Sequence, residues 1–428
     1  MRHLYSLAWL LLLPFAFLHL LRRAWQQPEY LRHWGERLGW VPVSARPLIW
    51  LHAVSVGETR AAAPLIKALR ARHPDHAILL THATPTGRAT GGELFGDSVT
   101  QAYLPYDFPL LIWLFLRRAR PLMGVIMETE IWPNLYAACA HRGIPLFLVN
   151  ARLSEKSARG YGRFRALAAP ALRGLAGIAA QTLNDAHRLR ELGAEEVEIS
   201  GNVKFDVTPP ADTRERARGL REAFRGRFVF LAASTREGEE TLILDALANL
   251  EIPGLLLVLV PRHPQRFDAV ARLLEERGLA YVRRGAAQAV QPDTRVFLGD
   301  SMGELAAYYA AADLAYVGGS LLPLGGQNLI EAAAAGCPAL IGPHTWNFSE
   351  AAEQAVACGA AQRVADAEEL AESVSALADD LPARQQMREA GLRFAAANRG
   401  ATERVMGMLE KPGGRGWVYR RVGTSSER

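Results

Sequence analysis

Carboxylates, a lysine and an arginine stand directly after apolar runs in this chain, where a strand hands over to a turn. The first such string is His52-Ala53-Val54-Ser55-Val56-Gly57-Glu58. Gly57 permits the close approach and unusual dihedrals of a tight turn before a helix expected from Thr59 to Arg72. Glu58 is then presented where its carboxylate can accept a proton from a substrate hydroxyl. The other reading is that it only complements the dipole of the helix it opens. The second string is Met127-Glu128-Thr129-Glu130-Ile131-Trp132-Pro133-Asn134. Residues two apart on an extended backbone face one side, so Glu128 and Glu130 converge if the strand persists; otherwise these acids cap a helix starting at Pro133. Paired acids can share a metal, but no His and no further acid lies nearby, so no metal site is expected. The third string, Gly201-Asn202-Val203-Lys204-Phe205-Asp206, offers Lys204 to neutralise a carboxylate or phosphate, or to pair with Asp206.

Three strings in the second half suit a nucleotide. In Pro261-Arg262-His263-Pro264, Arg262 carries the planar donor fork that fits a phosphate or a base edge. Gly299-Asp300-Ser301-Met302-Gly303-Glu304 is a glycine-bounded turn opening a helix, whose free N–H groups favour an anion. Gly325-Gly326-Gln327-Asn328-Leu329-Ile330-Glu331 opens another helix and sets Asn328 and Glu331 three apart on one face. A glutamate so placed can hold a ribose diol. Each string alone also reads as an ordinary helix cap. The turn after the first strand lacks G-x-G-x-x-G, which counts against a dinucleotide-dependent oxidoreductase.

The elements that must position these groups are short apolar runs alternating with helical patterns, which implies parallel sheets covered by helices. Strands are expected at Leu48 to Val54, Ala77 to His82, Leu122 to Met127, Pro145 to Asn150 and Val197 to Ser200. The series resumes at Phe228 to Ala233, Leu255 to Val260, Leu314 to Val317 and Ala339 to Gly342. A chain of 428 residues exceeds one ordinary core, so the division is into an anchor at 1–25, a domain at 26–206, a linker at 207–211 around Pro209 and Pro210, a domain at 212–410 and a flexible tail at 411–428. In open α/β sheets, ligands bind beyond the carboxyl ends of the strands, so a cleft between two such domains is the expected site.

From Leu4 to Leu21 the chain is apolar apart from Ser6, Pro14 and His19, and Arg22 and Arg23 follow. That is a short membrane anchor or an interfacial helix, with the excess of later arginines leaving the body cytoplasmic; a cleaved signal peptide is the competing reading, against which stand a weak basic start and no small-x-small site. The apolar stretch Phe108 to Arg120 is either a second membrane contact or a buried helix. Formal charge is +5, carried by scattered arginine without a long basic run; this suits an anionic membrane or substrate and gives no nucleic-acid arm. Cys139, Cys337 and Cys358 have neither disulfide nor zinc spacing.

Together with RHWGERLGW, THATPTGR, YLPYDFP, NARLSEKSARGY, GGSLLPLGGQNLIEAAAAG and GPHTWNF, these strings resemble the 3-deoxy-D-manno-oct-2-ulosonic acid (Kdo) transferases from the anchor to about Phe348. The resemblance implies an α/β protein of the GT-B type: two Rossmann-like βαβ domains facing across a cleft, with an N-terminal membrane-associated helix, at the cytoplasmic side of a bacterial inner membrane. It implies transfer of Kdo from CMP-Kdo, a co-substrate rather than a cofactor, onto a lipid A precursor (lipid IVA) in lipopolysaccharide core synthesis, with no metal required. Glu58 would be the general base, and Glu128 and Lys204 would stabilise the transition state. CMP would lie against Pro261, Arg262, Met302, Gly303, Glu304 and Asn328, Leu329, Ile330 and Glu331. The basic residues Arg152, Lys156, Arg159, Arg163 and Arg165 are expected to meet acceptor phosphates or to be solvated surface charge. The competing classes are a nucleotide-sugar epimerase or a GT-B transferase with another donor, an oxidoreductase, and an inactive membrane scaffold.

Overall fold

The computed structural model describes residues 1–248 and 250–411. Apart from Lys411, the tail expected at 411–428 lies outside the described residues. The chain divides into two compact units: unit 1 holds Met1–Val207 together with the segment from Arg399 onward, and unit 2 holds Thr208–Asn398.

Unit 1 is built on β1 (Leu48–His52), β2 (Ala77–His82), β3 (Thr100–Tyr103), β4 (Pro121–Met127), β5 (Leu146–Ala151), β6 (Gly177–Ala180) and β7 (Val197–Ile199). Every pairing is parallel, in the order β3-β2-β1-β4-β5-β6-β7. β1, β2 and β5 are buried at every position, as expected of a sheet covered on both faces. The strand order reverses between β1 and β4, and the Glu58 string leaves one of these strands while the Glu128 string leaves the other.

The helix expected from Thr59 to Arg72 is two helices, Val56–Ala61 and Ala63–Arg72. Pro64 lies in the first turn of the second and has no N–H to give the preceding one, so the ladder breaks there. Pro109–Ala119 buries Ile112, Phe115, Leu116 and Ala119 and leaves Leu110 and Trp113 exposed. It is therefore a core helix with an apolar outer edge. The helix Arg2–Gln26 is long and apolar enough to cross a membrane by length and composition. One stripe of it, Tyr5, Ser6, Trp9, Leu13, Ala16, Leu20 and Ala24, is shielded against unit 1: the Trp9 and Tyr106 rings lie 5.9 Å apart and Ser6 Oγ donates to Asn134 Oδ1 at 3.1 Å. Its other face exposes Leu7, Leu11, Phe15 and Leu18.

Unit 2 repeats the plan with β8 (Phe228–Thr235), β9 (Leu255–Pro261), β10 (Tyr281–Arg283), β11 (Val296–Leu298), β12 (Leu314–Val317), β13 (Ala339–Ile341) and β14 (Ala361–Arg363), ordered β10-β11-β9-β8-β12-β13-β14 and all parallel. Its order reverses between β8 and β12.

The expected second domain, 212–410, differs from this division in one element. The helix Ala401–Leu409 returns to unit 1, burying Val405, Met406, Met408 and Leu409 in the layer that also holds Leu65, Ile66 and Leu69. Charge fastens it as well: Arg72 Nη1 lies 2.7 Å from Glu410 Oε2, and His73 Nε2 lies 3.2 Å from Glu410 Oε1. Asp206 accepts from the backbone N–H groups of Gly400 and Thr402 at 2.7 and 2.6 Å. Asp206 is thus engaged in capping this helix.

Candidate active site

Glu58 lies in the first turn of Val56–Ala61, whose N-cap is Ser55. Its Oε2 accepts from Val54 N–H at 2.8 Å, its Oε1 accepts from Ser55 Oγ at 3.0 Å, and Ser55 Oγ accepts from Glu58 N–H at 3.4 Å. The reciprocal bonding is that of a capping box shifted by one residue, so the acid opens the helix and is held in a fixed orientation by it. It is 9% exposed. Burial, then the charge of Glu128, then that of Glu130 push its carboxyl up from 4.5 to about 7, against the Val54 and Ser55 hydrogen bonds that lower it. A carboxylate that titrates near neutrality is at its most effective as a base.

The strand leading to Glu128 ends at Met127, and Glu128 takes φ +56°. A left-handed backbone is uncommon for a residue with a side chain and costs about 1–3 kcal/mol, held by its surroundings. The alternation that would have set Glu128 and Glu130 on one side stops at that point. Instead Lys204 Nζ donates to Glu128 Oε1 at 3.1 Å. Burial, outweighing a lowering hydrogen bond, moves Glu130 up to about 6, and the Glu128 charge adds to the rise. Capping of Pro133–His141 falls to another acid, which the sequence did not single out: Asp107 accepts from Asn134 N–H at 3.0 Å and Leu135 N–H at 2.8 Å.

Lys204 is positioned by the end of β5. Asn150, also left-handed at φ +54°, accepts from Val203 N–H at 3.1 Å, and Asn202 Oδ1 accepts from Lys204 N–H at 3.0 Å. Thr129 in turn accepts from Arg152 N–H at 3.2 Å, linking the Glu128 loop to the segment that begins the basic helix Glu155–Arg163. Lys156, Arg159 and Arg163 on that helix, and Arg165 beyond it, are exposed, and Arg152 is half-buried.

In unit 2, Pro261 is buried at the end of β9 and Arg262 Nε donates to Gln327 Oε1 at 3.2 Å. Met302 is exposed and Gly303 takes φ +79°. Glu304 is gripped by both arms of Arg284, at 3.1 and 2.8 Å, and by Ser301; the Arg284 bonds hold its carboxyl below the usual range. Asn328 caps Leu329–Ala335 and donates to Glu331 Oε1 at 2.9 Å, while Leu329 and Ile330 are buried. Among the described residues no group of three or more His, Cys, Asp or Glu side chains is placed to hold a metal ion.

Glu239 escaped the sequence reading. It is fully buried and accepts from the backbone N–H groups of Gly319 at 2.6 Å, Ser320 at 3.1 Å and Arg236 at 2.9 Å, tying the loop after β8 to the loop after β12. A signal for it exists: β8 ends in Ser234-Thr235 and runs into Arg236-Glu237-Gly238-Glu239, much as β1 runs into Ser55-Val56-Gly57-Glu58, with a serine, a glycine and a helix-opening acid.

Residues 32–207 match the family model described as 3-deoxy-D-manno-octulosonic-acid transferase (kdotransferase), and residues 224–394 match that of glycosyl transferases group 1. The chain is 44% identical to a 3-deoxy-D-manno-octulosonic acid transferase of Bordetella pertussis, over 96% of this chain and 99% of the relative. It is 38% identical to one of Haemophilus influenzae, over 90% and 92%. In fold it is similar to a UDP-GlcNAc 2-epimerase from Neisseria meningitidis, at 15% identity and TM-score 0.58 over 85% of this chain and 99% of the other, and to a glycosyltransferase from Rickettsia africae, at 14% and 0.57 over 86% and 100%. Two parallel seven-stranded sheets, each reversing its order at the strands that carry these loops, are the GT-B architecture, and the chain belongs to the 3-deoxy-D-manno-octulosonic-acid transferase family.

Proposed function

We propose that the protein transfers Kdo from CMP-Kdo to a hydroxyl of a lipid A precursor, lipid IVA, in lipopolysaccharide core synthesis, with inversion at the anomeric carbon and without a metal. The observation that carries this reading is the Glu58 carboxylate, nearly buried, fixed by Ser55 and Val54, and titrating near 7. As general base it takes the proton of the acceptor hydroxyl while the oxygen attacks the anomeric carbon and the bond to the CMP phosphate breaks. Direct displacement of this kind inverts the centre. Lys204, held by Glu128, supplies positive charge to offset the negative charge of the donor's carboxylate or phosphate, the latter growing as the bond to CMP breaks. Arg262 and the helix start at Asn328 receive the CMP, with Glu331 on its ribose. The exposed cations Lys156, Arg159, Arg163 and Arg165 suit the phosphates of the acceptor. The apolar outer face of Arg2–Gln26 supports attachment to the inner membrane, with the body on the cytoplasmic side.

The test is a transfer assay with purified CMP-Kdo and lipid IVA in the presence of EDTA, run beside UDP-GlcNAc as donor. Kdo transfer that persists under chelation is expected. Transfer that stops until a divalent cation is restored, or turnover of the UDP-sugar alone, overturns the reading.

Two variants probe the charged groups around the base. Glu128→Gln removes the charge that, after burial, does most to raise Glu58, so the acid limb of the pH–rate profile moves to lower pH; an unmoved limb would show that the two carboxylates do not sense each other. Lys204→Met is expected to lower kcat on the order of 10²- to 10³-fold, measured at saturating donor and acceptor. Undiminished kcat removes Lys204 from the mechanism.

A further inference from the structure

Arg236 stands at the point where the strand order of unit 2 reverses. It leaves the end of β8, and the neighbouring strand β12 runs out into Gly318-Gly319. These two loops touch. A Cβ on Gly318 would come within 2.5 Å of Ser234 O and 2.8 Å of Thr235 Cα, and a Cβ on Gly319 would lie 3.2 Å from Gln327 Nε2 and 3.6 Å from Arg236 Cγ. Arg262 joins the same patch, its N–H donating to Thr235 O at 3.0 Å and its Nε to Gln327. Arg236, Arg262 and Gln327 therefore surround a glycine loop at the place where open parallel sheets receive their ligands.

The basic groups here are differently employed. Arg266 is neutralised by Glu240 at 2.9 Å and Glu237 at 3.7 Å. Arg236 is half-buried, its backbone N–H is fixed by Glu239 at 2.9 Å, and its guanidinium has no hydrogen bond or ion pair among the described residues. Ser234, two residues before it, is left-handed at φ +56°, which turns the loop out of the strand line. The concentration of charge is felt by His263, whose value is lowered by burial and then by Arg236, Arg262 and Arg266. An arginine whose backbone is fixed and whose fork is unengaged among the described residues is suited to a planar, two-oxygen anion.

An activated ulosonic acid has the matching chemistry. Its anomeric carbon carries both the bond to the nucleotide phosphate and a carboxylate, so two anions branch from one atom and call for two neighbouring cations. A neutral hexose donor has no anion on its sugar ring. We infer that Arg236 binds the carboxylate of the ulosonic-acid donor while Arg262 serves the phosphate, so that Arg236 selects acidic sugars over neutral ones. The inference rests on the reading of CMP-Kdo as donor.

Arg236→Ala and Arg236→Lys in the full chain test it, with CMP binding measured by calorimetry and kcat/KM measured for CMP-Kdo. CMP carries the phosphate but no sugar carboxylate, so its affinity is expected to stay unchanged in both variants. For CMP-Kdo, kcat/KM is expected to fall on the order of 10- to 100-fold in Arg236→Ala and less in Arg236→Lys. Among the described residues the guanidinium has no hydrogen-bond or ion-pair partner to strand, so both variants should melt with the wild type. Loss of CMP affinity by a similar factor would place Arg236 on the nucleotide instead, and an unchanged kcat/KM would remove it from the donor site. Wild-type protein that binds CMP and transfers no Kdo would defeat the donor reading itself, whereas wild-type transfer left intact in Arg236→Ala defeats the carboxylate assignment alone.

Discussion

Glu58→Gln is expected to lose about 10²- to 10⁴-fold in kcat, the usual contribution of a positioned general base, and yet to be the more stable protein at pH 8. Glutamine keeps one oxygen for the Val54 N–H, can turn its amide N–H toward Ser55 Oγ, and cannot take a proton. The gain in stability comes from the same burial that tunes the acid. The Glu58 carboxyl titrates at about 7 in the fold against 4.5 ordinarily, so the folded state binds its proton more tightly than the unfolded chain does. The stability this lends is full below pH 4.5 and is lost as the pH rises through 7. Above that, the wild type holds a desolvated charge costing at most about 3 kcal/mol. Glu58→Gln should therefore melt above the wild type at pH 8 and beside it at pH 4.5. In the wild type, transfer should climb as pH passes 7 and the base ionises. A fully active Glu58→Gln, or a variant less stable than the wild type at pH 8, contradicts the role given to this carboxylate.

The second large effect concerns stability alone. A chain ending at Asn398 lacks the helix Ala401–Leu409 and uncovers one face of the unit 1 sheet. Val405, Met406, Met408 and Leu409 are each nearly or fully buried there, and burial of such side chains contributes about 1.5–3 kcal/mol apiece. Together they approach the whole net stability of a domain, about 5–15 kcal/mol. Unit 1 of the shortened chain should show no cooperative melting transition, while the 208–398 unit, whose core holds Phe230, Leu259, Tyr316 and Leu340, keeps its own. Met406→Ala is the milder form, costing about 2–5 kcal/mol in denaturant unfolding of the full chain. If the shortened chain melts with both transitions at wild-type temperatures, the helix is an accessory rather than part of the core.

The strands that carry the candidate site were legible because they are long, apolar and buried on both faces, as in Ala77–His82 and Leu255–Pro261. β10, β11 and β14 are three residues each and make no run that stands out. Local composition also says nothing of backbone sign. Glu128, Asn150 and Ser234 are all left-handed at strand ends without being glycine, which is why the Glu128–Glu130 alternation failed and the Lys204–Glu128 pair could not be foreseen. Asp206 and Asp107 look like ordinary acids in sequence; each serves a helix distant along the chain or across the sheet. The return of Ala401–Leu409 was invisible for a related reason: an amphipathic pattern tells that a helix will cover something, not which of two sheets it covers.

That return sets a timetable on the ribosome. When Val207 emerges, the first sheet still lacks the cover it will receive from Val405 and Met406, and at about 5–20 residues per second the rest of unit 2 takes roughly 10 to 40 seconds to make. Throughout that interval the nascent protein carries a bare apolar face, so the later half must be completed before the earlier half can finish folding.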